Sequence, residues 1–267
     1  MYLKVEDIHR LMEKYAPSRY MESYDNVGLM VGDMDDEVTS ILVALDCTMD
    51  VIEEAKSKRC NLVLCHHPLL FNKPSSITKG DLLGKKIIKL ISDKINVYSS
   101  HTNLDSVSGG LNDIVMKLLG FSKTEVLDSI AEDSNSGLGR IASLSEPVQL
   151  SELCEMVKES LGLASIRYTG RDDKSISKIA VINGSGQSHF SEAVKAGAEC
   201  IITGDTTYHY VSDMNEVGVG VIDAGHYGTE WPAVKVFANL LQNKIRNLGF
   251  DNSVIIAESN VCPYKYR

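Results

Sequence analysis

Three short apolar runs of the 267-residue sequence are each followed, within a few residues, by side chains that bind metals. The residues in question are His66 and His67 after the first run, His101 and Asp105 after the second, and His226 and Glu230 after the third. Four of the seven histidines of the chain lie at these three places. Two adjacent histidines taken alone fit a polar loop as well as a metal site, but their recurrence after three strand-like runs favours one clustered site.

The chemistry of these donors indicates the metals that such a site would take. Imidazole nitrogens and carboxylate oxygens together suit zinc, iron or manganese, and a bridging carboxylate can hold two ions. Even five of these six donors exceed what one tetrahedral ion with an open position needs, which predicts two divalent ions. If this segment is helical, the spacing of His226 and Glu230 places both side chains on one face of the helix. Because Pro232 follows closely, a tight turn that brings the same two side chains together is the alternative.

The elements that must position these residues alternate between strands and helices. Ile41–Leu45 and Leu62–Cys65 read as buried strands on either side of a helix over Met49–Lys58, which is a βαβ unit. The apolar segments Ile179–Gly184 and Cys200–Thr203 lie 138 residues after their counterparts in this unit. Open α/β sheets place ligand sites at the carboxyl ends of their strands, where the candidate ligands lie.

The sequence therefore predicts an α/β fold with two similar βαβ-containing lobes and the metal site at strand carboxyl ends between them. We expect residues 1–121 to form the first lobe, with the His-His motif, and residues 122–267 to form the second, with the His-x-x-x-Glu motif. The segment Ser122–Ser177 reads as the entry to the second lobe and is too short for a large inserted domain.

Composition excludes several classes of protein. The net charge of −9, from 27 Lys and Arg against 36 Asp and Glu, disfavours broad binding of nucleic acid. No apolar run approaches the roughly 20 residues that cross a bilayer, and Met1–Arg10 lacks the pattern of a secretory signal. The six cysteines form no C-x-x-C pair, which favours free thiols and a cytoplasmic location.

Several motifs together resemble one known family, the dinuclear-metal family named after NGG-one-interacting factor three. They are Tyr24–Leu29, His66-His67-Pro68, the segment from His101 to Asp105 with Gly109-Gly110, and Gly225-His226 with Glu230. Members of this family are often labelled GTP cyclohydrolase I type 2 homologues. The resemblance spans almost the whole chain and implies that the metal ligands are His66, His67, Asp105, His226 and Glu230. It also implies a two-lobed α/β fold and a toroidal homohexamer.

Two open-site divalent ions would support metal-assisted hydrolysis of a small-molecule substrate, for which a nucleotide is one candidate. The family label suggests ring opening of GTP, although no phosphate-cradling P-loop motif occurs in the sequence. A non-catalytic metal-binding or scaffold protein would use the same ligands, and a redox role is a third alternative. His101 is interpreted as an acid–base or ligand-orienting residue, with a purely structural role as the alternative. A turn is the favoured interpretation of Asp25 and a helix cap or turn that of Asp205, each with a site-related role as the alternative, and Asp46 has both interpretations.

Overall fold

The computed structural model describes residues 2–131 and 133–265, and the chain divides into two compact units. The first unit comprises the residues up to Leu104 together with Val234–Lys265, and the second comprises Asp105–Ala233. The strands are β1 (Gly28–Val31), β2 (Ile41–Ala44), β3 (Leu62–Cys65), β4 (Asn96–Ser99), β5 (Glu125–Ile130), β6 (Asp133–Gln149), β7 (Arg167–Thr169), β8 (Ser175–Val181), β9 (Cys200–Thr203), β10 (Gly220–Asp223) and β11 (Val254–Ile256).

The helices alternate with these strands along the chain. They are α1 (Val5–Tyr15), α2 (Met49–Ser57), α3 (Leu82–Asp93), α4 (Thr102–Ser106), α5 (Leu111–Leu118), α6 (Leu150–Leu161), α7 (Phe190–Lys195), α8 (Tyr208–Glu216) and α9 (His226–Asn247). Local sequence explains several of their ends. Thr48 caps α2 by accepting a hydrogen bond from the backbone N–H of Val51 (3.2 Å), and Gly162 ends α6 in the left-handed conformation.

The first unit is built on a five-stranded sheet with the order β1-β4-β3-β2-β11. Its strands run parallel except β1, which pairs with β4 in the antiparallel direction. All residues of β2, β3 and β4 are buried, as expected for parallel strands covered on both faces. Side chains such as Leu42, Val63 and Ile87 form an apolar core that fixes the sheet beneath its carboxyl edge.

The second unit contains a six-stranded sheet with the order β5-β6-β8-β9-β10-β7. Strands β8, β9 and β10 are parallel, whereas β6 and β7 flank them in the antiparallel direction. A separate apolar core around Ala180, Phe190 and Ile201 supports this sheet. The segment 122–177 supplies β5, β6, α6 and β7, so it is part of this sheet and its cover.

The two units share the topology that the sequence predicts. In each, three parallel strands are joined by two helices, as β2-α2-β3-α3-β4 and as β8-α7-β9-α8-β10, and an antiparallel strand pairs with the last of the three. The prediction of an α/β fold with two similar βαβ-containing lobes is confirmed. Among the described residues, none of the helices is long and apolar enough to cross a membrane.

The compact units differ from the sequence-based division into 1–121 and 122–267. Helix α5 belongs to the second unit, where it contacts β6 and β8. The chain end belongs to the first unit because β11 pairs with β2 in parallel register, Ile255 opposite Leu42. Strand pairing between residues more than 200 positions apart leaves no local signal, which is why the sequence pattern assigns the chain end to residues 122–267.

Helix α9 also begins earlier than the sequence pattern indicates. The pattern predicts a helix over Ala233–Ile245 with Pro232 ahead of it, but α9 starts at His226 and contains Pro232 as its seventh residue. Proline supplies no backbone N–H and therefore cannot bond the carbonyl of Gly228, four residues earlier. The helix continues through this position, so His226 and Glu230 both lie in helical backbone.

Candidate metal centre

Three imidazole rings lie together at the carboxyl edge of the first unit's sheet. His66 and His67 directly follow β3, and His101 precedes α4 just after β4. Their ring centroids are 5.1–5.5 Å apart, and one nitrogen of each ring lies within 4.8 Å of one nitrogen of the other two. Neighbouring parallel strands thus bring together three histidines that are separated by up to 35 positions, and the group suits a metal ion.

Hydrogen bonds at Nδ1 orient the rings of His66 and His67. The Nδ1 atom of His66 lies 2.9 Å from the backbone carbonyl oxygen of Ser100, and Nδ1 of His67 lies 2.9 Å from Oδ1 of Asp46. A carbonyl oxygen only accepts, so Nδ1 of His66 carries the hydrogen. The same geometry orients His67 through the Asp46 carboxylate. With the hydrogen on Nδ1, a neutral imidazole carries its lone pair on Nε2, the form in which it binds metals.

His101 is held by Asp25, whose carboxylate is completely buried. Nδ1 of His101 lies 2.8 Å from Oδ1 of Asp25, and the backbone N–H of Thr102 donates to Oδ2 at 3.0 Å. Burial alone would raise the pKa of the Asp25 carboxyl, but hydrogen bonds from His101, Thr102 and Asn26 lower it to about 2. Asp25 is therefore ionised at neutral pH and keeps a proton on Nδ1 of His101.

In the second unit, His226 and Glu230 lie one turn apart at the start of α9, and their side chains meet. Nε2 of His226 is 3.1 Å from Oε2 of Glu230, and the Glu230 side chain is only 4% exposed. On its other side, Nδ1 of His226 lies 2.9 Å from Oδ2 of Asp205. With the Nδ1 hydrogen directed to Asp205, the contact between Nε2 and the Glu230 carboxylate requires a proton or a cation.

Gly184 leaves room for the Glu230 carboxylate. Its φ of +62° is one that glycine adopts without strain, and a Cβ at this position would lie 2.2 Å from Oε1 of Glu230. The backbone N–H of Gly184 donates to Oγ1 of Thr229 (2.9 Å), which fixes the loop after β8 against the first turn of α9. Any larger residue at position 184 would displace the carboxylate.

Asp105 is buried in the second unit, where Nδ2 of Asn183 donates to its Oδ1 atom at 2.9 Å. Asn183 is fixed in turn because its backbone N–H donates to Oδ1 of Asn112 (3.1 Å). The adjacent residues Asn183 and Gly184 therefore contact Asp105 and Glu230, respectively. This arrangement was not predicted from the sequence, because a single asparagine in a loop has no spacing signal.

Two aspartates for which the sequence favours a turn or a cap also contact candidate site histidines. Asp25 and Asp205 each accept a hydrogen bond from the ring of such a histidine, His101 and His226 respectively. The left-handed backbone of Asp205 (φ +49°) shows that it forms a turn as well. Because short polar residues serve both purposes at strand ends, the sequence pattern alone does not separate them.

The donor set fits divalent metals of the zinc, iron and manganese class, since it consists of imidazoles and carboxylates held by neighbouring hydrogen bonds. Burial raises the pKa of the Cys65 thiol to about 12, and its Sγ atom lies 3.2 Å from Oγ of Ser99. The six cysteines are free, as the sequence predicts.

Comparison with known proteins identifies the family of this chain. The family profile described as Duf34/NIF3 (NGG1p interacting factor 3) matches residues 3–263. The chain belongs to this family. A Clostridium acetobutylicum protein named GTP cyclohydrolase 1 type 2 homolog is 53% identical over 268 residues, covering 100% of both chains. A Clostridium perfringens protein of the same name is 47% identical, covering 99% of this chain and 100% of its own.

A solved structure agrees with the fold of this Duf34/NIF3 member. The crystal structure of a Staphylococcus aureus hypothetical protein has a TM-score of 0.93 and 30% sequence identity, with 100% of both chains covered. The family resemblance inferred from the sequence motifs is thereby confirmed. The roles of the individual residues stay predictions.

Proposed function

We propose that this protein binds two divalent metal ions through His66, His67, Asp105, His226 and Glu230. The observation that carries the proposal is the 3.1 Å contact between Nε2 of His226 and the buried carboxylate of Glu230. A metal ion that takes both atoms as ligands would satisfy this contact while Asp205 keeps the Nδ1 hydrogen. The oriented rings of His66 and His67 offer the same chemistry in the first unit.

The function that this donor set supports best is metal-dependent hydrolysis of a small-molecule substrate. When bound, such ions act as Lewis acids and lower the pKa of water toward neutrality. The chain itself supplies His101 for proton transfer. Because ionised Asp25 holds the hydrogen on Nδ1, the Nε2 atom of His101 is the position that takes or gives a proton.

GTP is one candidate substrate, because relatives of this chain carry the name GTP cyclohydrolase 1 type 2 homolog. Ring opening of GTP would release formate from the imidazole carbon of the purine. We propose hydrolysis as the reaction class and treat GTP as a substrate to be tested. The same ligands would also suit a protein that binds metal without catalysis, and the experiment below separates the two.

Metal content of purified protein tests the ligand set. We expect close to two equivalents of divalent metal by elemental analysis, and a lower content in the His66→Ala and Glu230→Gln variants. The control is His189→Ala, since His189 forms a similar pair with Asp128 (3.1 Å) outside the proposed ligand set. Full metal content and unchanged affinity in both ligand variants would show that the proposed ligands are wrong.

Turnover is tested separately by incubating metal-loaded protein with GTP and measuring formate, with Asp105→Asn as the control for contaminating activity. Formate release that disappears in this variant supports the cyclohydrolase reaction. Absence of formate rejects GTP, and a panel of esters, amides and nucleotides then tests hydrolysis in general. Inactivity across the whole panel, with both metals bound, would contradict the proposed hydrolase and support a metal-binding or scaffold function.

We further propose that the protein acts in the cytoplasm as a homohexamer, as its family resemblance implies. Light scattering coupled to gel filtration measures the assembly, with an expected mass near six times the 29.3 kDa of one chain. A monomer that persists at high protein concentration would contradict the hexamer.

A further inference from the structure

Two exposed aromatic side chains of the first unit lie beside the three candidate histidines. The Phe71 ring is 6.4 Å from the His101 ring between centroids, in an edge-on arrangement, and the Tyr24 ring is 6.2 Å from that of Phe71. The two residues are 61% (Tyr24) and 47% (Phe71) exposed. A continuous series of rings therefore leads from a solvent-accessible surface to His101.

Hydrogen bonds fix the two segments that carry these rings. Nδ2 of Asn26 donates to the backbone carbonyl of Leu70 at 2.6 Å, which joins the segment after Tyr24 to the segment before Phe71. The residue before Asn26 is Asp25, whose Oδ1 atom lies 2.8 Å from Nδ1 of His101. Residues next to Tyr24 and Phe71 are thus anchored, Asn26 to Leu70 and Asp25 to His101.

Exposure alone does not distinguish these residues, since Tyr208 and Tyr264 are even more exposed. Their distinction is the position next to His101, combined with the anchoring of both segments. Exposed aromatic rings stack on planar ring systems, and each such contact contributes substantially to the binding of a base. The partly exposed ring of His101 offers a polar edge that suits a ring system with hydrogen-bonding atoms.

We infer that Tyr24 and Phe71 form a stacking surface for the planar heterocycle of the substrate, of the size and type of a nucleobase. The inference rests on the proposed function for the chemistry that follows binding, but the stacking surface itself is a binding site and is tested as one. It assigns the Tyr24–Leu29 motif a direct role in substrate recognition through Tyr24, in addition to the turn that Asp25 and Asn26 stabilise.

The test measures equilibrium binding of guanosine, adenosine and uridine to the metal-loaded protein by calorimetry, with ribose 5-phosphate as the non-aromatic probe. We expect at least one nucleoside to bind and ribose 5-phosphate to bind more weakly. Tyr24→Leu and Phe71→Leu should each weaken nucleoside binding about tenfold or more. Tyr24→Phe and Phe71→Tyr, which keep the rings, should retain it, and so should the control Tyr264→Ala.

Metal content of every variant is measured alongside, so that failure of the stacking surface is distinguished from failure of the metal site. Unchanged nucleoside affinity in both leucine variants, or failure of all three nucleosides to bind the wild-type protein, would overturn the inference. Loss of turnover without loss of nucleoside binding in the leucine variants would also overturn it. If the protein binds nucleosides but hydrolyses none of the tested substrates, the proposed hydrolase is contradicted and the proposed stacking surface is supported.

Discussion

Asp46 and Asp205 each accept a hydrogen bond from Nδ1 of a histidine that follows 21 residues later in the chain. In each pair the aspartate comes after one strand of a parallel sheet and the histidine after the next strand. A carboxylate in this position fixes the tautomer and orientation of the ring and raises the basicity of the remaining nitrogen. The two aspartates are thus as important to the proposed ligands as the rings themselves.

We therefore predict that Asp46→Asn and Asp205→Asn weaken metal affinity by about 10-fold to 100-fold, because the charge is lost while the shape is kept. Both side chains are about half exposed, so the free energy of unfolding should change by less than about 0.5 kcal/mol. Competition with a chromogenic chelator measures the affinity. Asp128→Asn, which alters the pair with His189, is the matched control. Equal metal affinity in all three variants would contradict the proposal that Asp46 and Asp205 orient the histidine rings.

The sequence identified the residue types of the candidate site but not the residues that contact them. The imidazoles and carboxylates after three apolar runs could be selected because few residue types bind metals and because strand ends converge. Asn183 and Gly184 could not, because their roles depend on Asp105 and Glu230, which are tens of residues distant in the chain. The pairing of Asp25 with His101, 76 positions apart, is of the same kind.

The loop after β8 and the first turn of α9 meet at Gly184, and this contact can be tested by adding one methyl group. Gly184→Ala should displace the Glu230 carboxylate and lower metal affinity at least tenfold, because the Cβ would lie 2.2 Å from Oε1. The control is Gly162→Ala, which has a similar φ (+69°) and nothing within 4 Å of its Cβ. Both variants should lose about 1–2 kcal/mol of stability from the left-handed backbone.

Elemental analysis and chemical denaturation measure the two effects on separate samples. If the control also lost metal, general destabilisation would explain the result. If Gly184→Ala kept full metal affinity, the position of the Glu230 carboxylate next to Gly184 would not be required for metal binding.

Helix α2 stabilises the chain end that follows β11. Glu54 accepts hydrogen bonds from Nζ of Lys58 (2.7 Å) and from the backbone N–H groups of Glu258 (2.9 Å) and Ser259 (2.8 Å). Burial would raise the pKa of the Glu54 carboxyl, but these bonds lower it from 4.5 to about 2. A lowered pKa means that the ionised form contributes stability above pH 4.5 and that this contribution is lost as the pH falls toward 2.

Accordingly, Glu54→Gln should reduce the free energy of unfolding at pH 7 by about 1–3 kcal/mol. The difference between variant and wild type should shrink steadily between pH 4.5 and pH 2. Urea denaturation across this range measures it, and Glu53→Gln on the exposed side of α2 serves as the control. A difference that stayed constant with pH would assign the effect to packing instead of charge.

The elements themselves were predictable to very different degrees. The short apolar runs Leu62–Cys65 and Cys200–Thr203 are strands over the predicted residues, since a buried parallel strand is apolar at every position. The polar strand β6 was not predicted, because five of its first six residues are Asp, Ser, Asn or Gly and its register comes from pairing with β5 and β8. Strand β11 has only three residues and likewise depends on its partner.

On the scale of the whole molecule, the same arrangement of three parallel strands and two helices occurs once in each unit. The spacing of 138 residues that relates the apolar runs of the sequence therefore corresponds to equivalent strands, with Leu62–Cys65 of β3 matching Cys200–Thr203 of β9. In each unit the candidate ligands lie next to strands that pack into an apolar core. We therefore expect folding to be separable from metal binding in this chain.

The last prediction follows from this separation. Removal of metal by a chelator should leave the far-UV circular dichroism unchanged, because each sheet is supported by its own apolar core. The melting temperature should fall by roughly 10–20 °C relative to protein with free metal about 100-fold above its Kd, since each of the two proposed ions contributes about 2.7 kcal/mol at that concentration. Trp231, the single tryptophan of the chain, directly follows Glu230 and should change its fluorescence when metal is restored.

Glu230→Gln is the variant that makes this experiment decisive. Its melting temperature and its Trp231 fluorescence should respond much less to chelation and to added metal than those of the wild type, while its circular dichroism stays native. A chelated wild-type protein that loses its secondary structure would contradict the separation, because the metals would then be needed for folding. An equal response of wild type and variant would remove Glu230 from the ligands and leave His226 beside a carboxylate with a purely structural role.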